Sequence, residues 1–85
     1  MQEIRKLMNE GRTTLGSKVV IKKLKNGQIE KVFLSKNCKE DLKQDIEKFA
    51  KLSSVEILNV DMTNEELGVF CKKPFHVSVV GVLKQ

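Results

Sequence analysis

The run His76–Leu83 constrains this chain most. Val77, Val79, Val80, Val82 and Leu83 put apolar side chains on both alternating faces, so a strand made from them must be covered on both sides. Ile29–Leu34 makes the same demand through Val32, Phe33 and Leu34. Val55–Val60 is a further strand-like run, and Arg12–Leu15 is brief and β-prone.

Covered strands require amphipathic helices, and the spacings supply them. Ile4, Leu7 and Met8 share a stripe in Gln2–Glu10, which Gly11 is placed to end. Leu15–Lys25 repeats apolar residues at Val20 and Leu24 with Ile21 beside them, and Gly27 offers a left-handed stop. A third helix begins at Glu40 and Asp41 and gathers Leu42, Ile46, Phe49 and Ala50 on one face. Thr63 and Glu66 have capping-box spacing before a short helix that buries Leu67 and Phe70 and that Pro74 is expected to stop. Helices alternating with strands predict an α/β domain: a four-stranded, mostly buried sheet with helices on both faces. Phe33, Leu34, Phe49, Leu58, Val79 and Val80 are the expected core.

A chain of 85 residues, 40% apolar, suffices for one domain with a small core. Its net charge of +5 is uneven: residues 1–38 carry nine Lys or Arg against three Asp or Glu, and the remainder seven against eight. Such a basic half points to a polyanion. Within it, Lys18, Lys22 and Lys25 share one helical face, and Lys18 falls in the first turn, where the helix dipole disfavours a cation by about 0.3–1 kcal/mol. With Gly16 letting a ligand approach the backbone, this helix start suits phosphate or base edges. A plain solvated lysine face fits the same residues, and the helix alone does not separate the two.

Other chemistry finds no support. His76 has no flanking Asp, and the serines lack nucleophile-elbow glycines, so no catalytic constellation emerges. Gly16 and Gly68 belong to no phosphate-binding glycine motif, so no nucleotide cofactor is expected. Cys38, Cys71 and His76 are too few for zinc, and the thiols are expected to be reduced in a cytoplasmic protein. Residues 1–11 do not read as a signal peptide, and apolar runs fall far short of the ~18 residues of a membrane span. A binding protein is the class left. Strand-exit loops at Gly16–Lys18, Lys36–Asn37 and Asn64–Gly68 are placed to share one edge of the sheet. Asn37 reads either as a turn former or as an amide that pairs with a base edge. Phe75, after Pro74, reads either as core or as a stacking platform.

Several segments taken together resemble a known family. They are Leu15-Gly16-Ser17-Lys18 with Lys22, Lys36-Asn37-Cys38, Asp45 to Ser53, and Glu66-Leu67-Gly68 leading to Lys73-Pro74-Phe75-His76-Val77-Ser78. In order and spacing, over nearly the whole chain, these resemble the L-seven-Ae/L-thirty-e kink-turn RNA-binding family, in particular its large-subunit ribosomal branch. The resemblance implies a three-layer α/β/α sandwich with a mixed sheet that grips a sharply bent helix–internal loop–helix of RNA. It implies RNA contacts from Gly16, Ser17, Lys18 and Lys22 at the second helix, from Asn37, from Glu66, Leu67 and Gly68, and from Phe75. It further implies a noncatalytic ribosomal component, cytoplasmic and monomeric, with ribosomal RNA and neighbouring ribosomal proteins as partners. Binding a kink-turn in a non-ribosomal RNA, or acting as a protein-interaction module through the apolar last strand, are the alternatives.

The chain departs from the family pattern at three places. Val19 stands where relatives often carry Glu or Gln. Phe70-Cys71-Lys72 replaces a small-residue-then-glycine pattern, which puts that loop's shape in question. The sequence stops at Gln85, without the terminal helix or acidic tail of many relatives.

Overall fold

The computed structural model describes residues 2–84; Met1 and Gln85, which the expected domain includes, lie outside them. Eight elements follow in order: α1 (Gln2–Asn9), β1 (Thr13–Leu15), α2 (Ser17–Lys25), β2 (Ile29–Leu34), α3 (Glu40–Leu52), β3 (Glu56–Asn59), α4 (Asn64–Phe70) and β4 (Val79–Leu83). The strands form one mixed sheet in the order β1-β4-β2-β3. β4 runs antiparallel to both its neighbours, whereas β2 and β3 are parallel and are joined by α3, the crossover that parallel strands require.

The two apolar runs became the two interior strands because only those positions are covered on both faces. On one face Ile29, Val32, Leu34 and Val79 pack with Val20 and Leu24 of α2 and Ile46 of α3. On the other, Phe33, Val80 and Val82 pack with Ile4 and Leu7 of α1 and Leu67 of α4. The result is a three-layer α/β/α sandwich. Gly81 lets α2 lie close to the sheet, since a Cβ there would sit 3.0 Å from Ile29 Cδ1 and 3.2 Å from Val20 Cγ2. With β4 enclosed between β1 and β2, its apolar surface is unavailable to a partner, and the idea of an interaction module built on that strand loses its basis.

Of the expected core, Phe33, Leu34, Val79 and Val80 are buried, but Phe49 and Leu58 are only partly so. Leu58 belongs to the edge strand β3. Phe49 lies under two ammonium groups, Lys25 Nζ at 4.9 Å and Lys48 Nζ at 5.9 Å from its ring centre.

Boundaries also differ from expectation, among them the start of α2 at Ser17 rather than Leu15, which belongs to β1 and pairs with Val80. β4 begins at Val79 rather than His76, because the Val77 N–H donates to Asn64 O (3.0 Å) instead of joining the ladder, although Val77 itself is buried. α4 ends at Phe70, well before Pro74: Lys72 takes a left-handed φ of 58°, which turns the chain out of the helix. Lys72 thus adopts the backbone that glycine would adopt freely, at a cost of about 1–2 kcal/mol, and keeps the tight turn despite the Phe70-Cys71-Lys72 departure.

Candidate nucleic-acid interface

Strand direction decides where the loops meet. Leu15 pairs with Val80, and Leu34 with both Val79 and Asn59, so the C-terminal ends of β1, β2 and β3 lie beside the N-terminal end of β4. Everything that leaves those ends shares one rim: Gly16–Lys18 after β1, Lys36–Asn37 after β2, the start of α4 after β3, and the Lys73–Ser78 approach to β4. Backbone bonds lash these loops together. Ser35 N–H donates to Ser78 O (2.9 Å), Lys36 N–H to Met62 O (2.8 Å), and Lys73 N–H to Gly68 O (3.0 Å).

The α2 start is open. Gly16, at φ 101°, is its N-cap and supplies no side-chain cap, and the first turn holds no acidic residue. Because helical bonding begins with Val20 N–H on Gly16 O, the N–H groups of Ser17, Lys18 and Val19 have no partner within the helix. A Cβ at Gly16 would meet nothing within 4 Å, so glycine serves there for its backbone conformation and not for space. Lys18 and Lys22 are exposed and make no ion pair with any described residue. Lys22 and Lys25 occupy the last turn, where the dipole favours them; only Lys18 opposes it. Val19, 44% exposed, presents an isopropyl group beside them.

Asn37 does not hang free. Its Oδ1 accepts from the Asn64 N–H (2.8 Å), and its Nδ2 donates to Asn64 Oδ1 (3.1 Å), clasping the β2 exit to the first turn of α4. Asn64 also receives Val77 N–H on its carbonyl and so joins three loops. The sequence held only an indirect signal for Asn64: its place directly after the N-cap Thr63, where a spare N–H awaits an acceptor.

The expected capping box is present, with Glu66 N–H on Thr63 Oγ1 (3.2 Å) and Thr63 N–H on Glu66 Oε1 (2.9 Å). These bonds hold the Glu66 carboxyl below its usual range, chiefly through the Thr63 N–H. The folded pKa is lowered, so the stabilisation is complete above the ordinary glutamate value of ~4.3 and is lost as pH falls through the folded value. The difference in thermal midpoint between wild type and Glu66→Ala should therefore narrow on acidification from neutral pH; a constant difference would show that the carboxylate plays no part.

Leu67 and Gly68 differ in kind from the others. Leu67 is fully buried against the sheet, so its side chain cannot reach a ligand. Gly68 is buried as well, and a Cβ there would lie 2.3 Å from Phe75 O, so glycine allows the Phe75 loop to pass over α4. Phe75 itself is 53% exposed, which removes the core reading, and the exposed His76 beside it precedes the strand rather than lying in it.

Titratable chemistry on the rim is sparse. Among the described residues no cluster of three His, Cys, Asp or Glu could hold a metal ion, and no helix is long and apolar enough to cross a membrane. Cys38 packs on the α2/α3 side and Cys71 on the α1/α4 side, so the sheet separates them, and burial raises both thiols. Half-exposed Lys36 pairs with the fully exposed Asp61 at 3.8 Å, a contact of little energetic weight.

Comparison with known proteins agrees with this architecture. A family profile described as "Ribosomal protein L7Ae/L30e/S12e/Gadd45 family" matches residues 1–85. The chain is 36% identical over 81 residues to the large ribosomal subunit protein eL30 of Sulfurisphaera tokodaii, covering 95% of this chain and 76% of the relative. It is 43% identical over 77 residues to the eL30 of Methanothermobacter thermautotrophicus, covering 91% and 79%. Its fold matches the solved Giardia lamblia 15.5kD RNA binding protein with a TM-score of 0.78 at 13% identity, covering 96% of this chain and 68% of that one.

Proposed function

The chain belongs to the ribosomal protein L7Ae/L30e/S12e/Gadd45 family, and on that premise we propose that residues 1–85 act as a single kink-turn RNA-binding domain of the large ribosomal subunit. The observation that carries this reading is the common rim: four strand ends bring an uncapped helix start, with a Lys18 that pairs with no described residue, together with Asn37, the α4 start and an exposed Phe75. No folding requirement accounts for Lys18 in that first turn, whereas a bound anion or base edge does.

The residues take distinct parts. Gly16, Ser17, Lys18 and Lys22 contact base edges and phosphates of the bent internal loop, and Phe75 stacks on an unpaired base. Asn37 keeps a second amide hydrogen, and Glu66 a second carboxylate oxygen, beyond the bonds that hold the loops. Leu67 and Gly68 act through the fold, by seating the rim and letting the Phe75 loop close over α4. The protein works without catalysis, as a cytoplasmic, ribosome-associated monomer beside other ribosomal proteins, in keeping with relatives named as large-subunit proteins.

Lys18, Lys22, Lys36 and Lys73 could together neutralise about four phosphates, which sets a slope of roughly −3 to −4 for log K against log salt. A filter-binding titration of kink-turn RNA at several salt concentrations measures it. A slope near zero contradicts the proposal. Sequencing RNA that co-purifies with the protein separates ribosomal RNA from another kink-turn carrier.

A further inference from the structure

The segment Phe70-Cys71-Lys72, where the chain departs from the family pattern, has no part in the proposed kink-turn surface, yet two of its side chains line a groove between α1 and α4. The groove encloses about 290 Å³. Arg5, Met8 and Asn9 form its α1 wall, and their spacing of three and four residues puts them on one face of that helix. Phe70 and Lys72 form the other wall, at the end of α4 that lies away from the rim. No carboxylate is among the described lining residues, and Glu10, which follows Asn9, lies 3.8 Å from Arg12 instead.

The two cations of the groove are held but not neutralised. Arg5 lays its guanidinium over the Phe70 ring, 4.9 Å from the ring centre, a contact that steadies the side chain and leaves its charge in place. Neither Arg5 nor Lys72 forms an ion pair with any described residue. Lys72 stands on a left-handed backbone, φ 58°, that glycine would take without strain. The turn itself has no need of lysine, and what glycine would forfeit there is an ammonium group at the groove.

We propose that this groove docks a neighbouring protein through a short segment in which an apolar side chain adjoins an Asp or Glu: the apolar group packs on Met8 and Phe70, and the carboxylate takes the Arg5 guanidinium and the Lys72 ammonium. Asn9 adds an amide that both donates and accepts, suited to the segment's backbone. The flexible thioether of Met8 fits side chains of different shape, and arginine is the cation best matched to a carboxylate. A groove of this size, near the lower bound of about 300 Å³ for ligand pockets, has room for a few side chains and not for a folded element. RNA fits less well. Met8 and Phe70 offer nothing to a phosphodiester, and the Phe70 ring, covered by Arg5 and packed against the core, is not free to stack on a base. None of the five residues belongs to the proposed kink-turn surface, so docking and RNA binding are separable.

The probe is a short, terminally blocked peptide of alternating Glu and Leu, titrated into the 15N-labelled chain with and without kink-turn RNA. Saturable shifts are expected at the amides of Arg5, Asn9, Phe70 and Lys72 in both series. Lys72→Gly should weaken peptide binding about two- to fivefold, the weight of one exposed charge pair, while its thermal midpoint holds or rises as the left-handed strain is released. Arg5→Gln should weaken it by a similar factor, and kink-turn affinity should be unchanged in both variants. Absent shifts at those four amides, equal shifts with an all-Glu peptide or with an RNA duplex that has no kink-turn, or undiminished peptide binding by Lys72→Gly would overturn the docking site. Failure of the wild-type chain to bind kink-turn RNA would instead strike the proposed function, and the series without RNA would still read the groove.

Discussion

Leu67→Ala is expected to lower folding stability by about 2–5 kcal/mol, because it empties a fully buried position between α4 and the sheet that the neighbouring backbone can refill only in part. The loss is large against the ~5–15 kcal/mol that holds a typical domain. RNA binding should fall with it, but only as the folded fraction falls. Denaturant unfolding and RNA titration on the same samples, well below the unfolding midpoint, distinguish the two effects. A Leu67→Ala protein that stays stable and yet fails to bind would make this side chain a contact, which its burial rules out.

Lys18→Ala and Phe75→Ala should behave in the opposite way. Lys18 opposes the dipole of α2 and pairs with no described residue, so its removal should leave stability unchanged or higher by a few tenths of a kcal/mol. Kink-turn affinity should nevertheless drop by about 1–3 kcal/mol if the ammonium reaches a base edge, and the salt slope should shrink by about one if it reaches a phosphate instead. For Phe75 the expected binding loss is about 1–3 kcal/mol per stacked base. Its half-exposed ring leaves much less to lose on the stability side than the ~3–5 kcal/mol of a buried phenylalanine. Normal RNA affinity in either variant would return that residue to a passive surface role.

These contrasts follow the line between what the chain made legible and what it concealed. The interior strands could be read directly because Val32-Phe33-Leu34 and Val79–Leu83 have no polar face, and the capping box because Thr63 and Glu66 satisfy each other at fixed spacing. The basic helix start was legible through a rule it breaks, a cation in the first turn.

Other features depend on neighbours distant in sequence. Val77 is as apolar as a strand residue, and only the Asn64 carbonyl reveals that its N–H lies outside the ladder. Leu67 directly follows Glu66 at the rim, but the turn of the helix sends it inward. Gly68 shows no special φ; its reason is the passage of Phe75 O overhead. Lys72 in a left-handed conformation cannot be foreseen from a residue that ordinarily avoids it.

Two RNAs of equal length test the central claim most directly, one with a kink-turn internal loop and one with that loop replaced by continuous base pairs, titrated against the wild-type chain at fixed physiological salt. A rim that reads bent shape and exposed base edges should favour the kink-turn by about 10³-fold or more, the margin that ordinarily separates specific from non-specific nucleic-acid binding. Equal affinity for both RNAs would show that the lysines bind phosphate without regard to the bend, and would contradict the account.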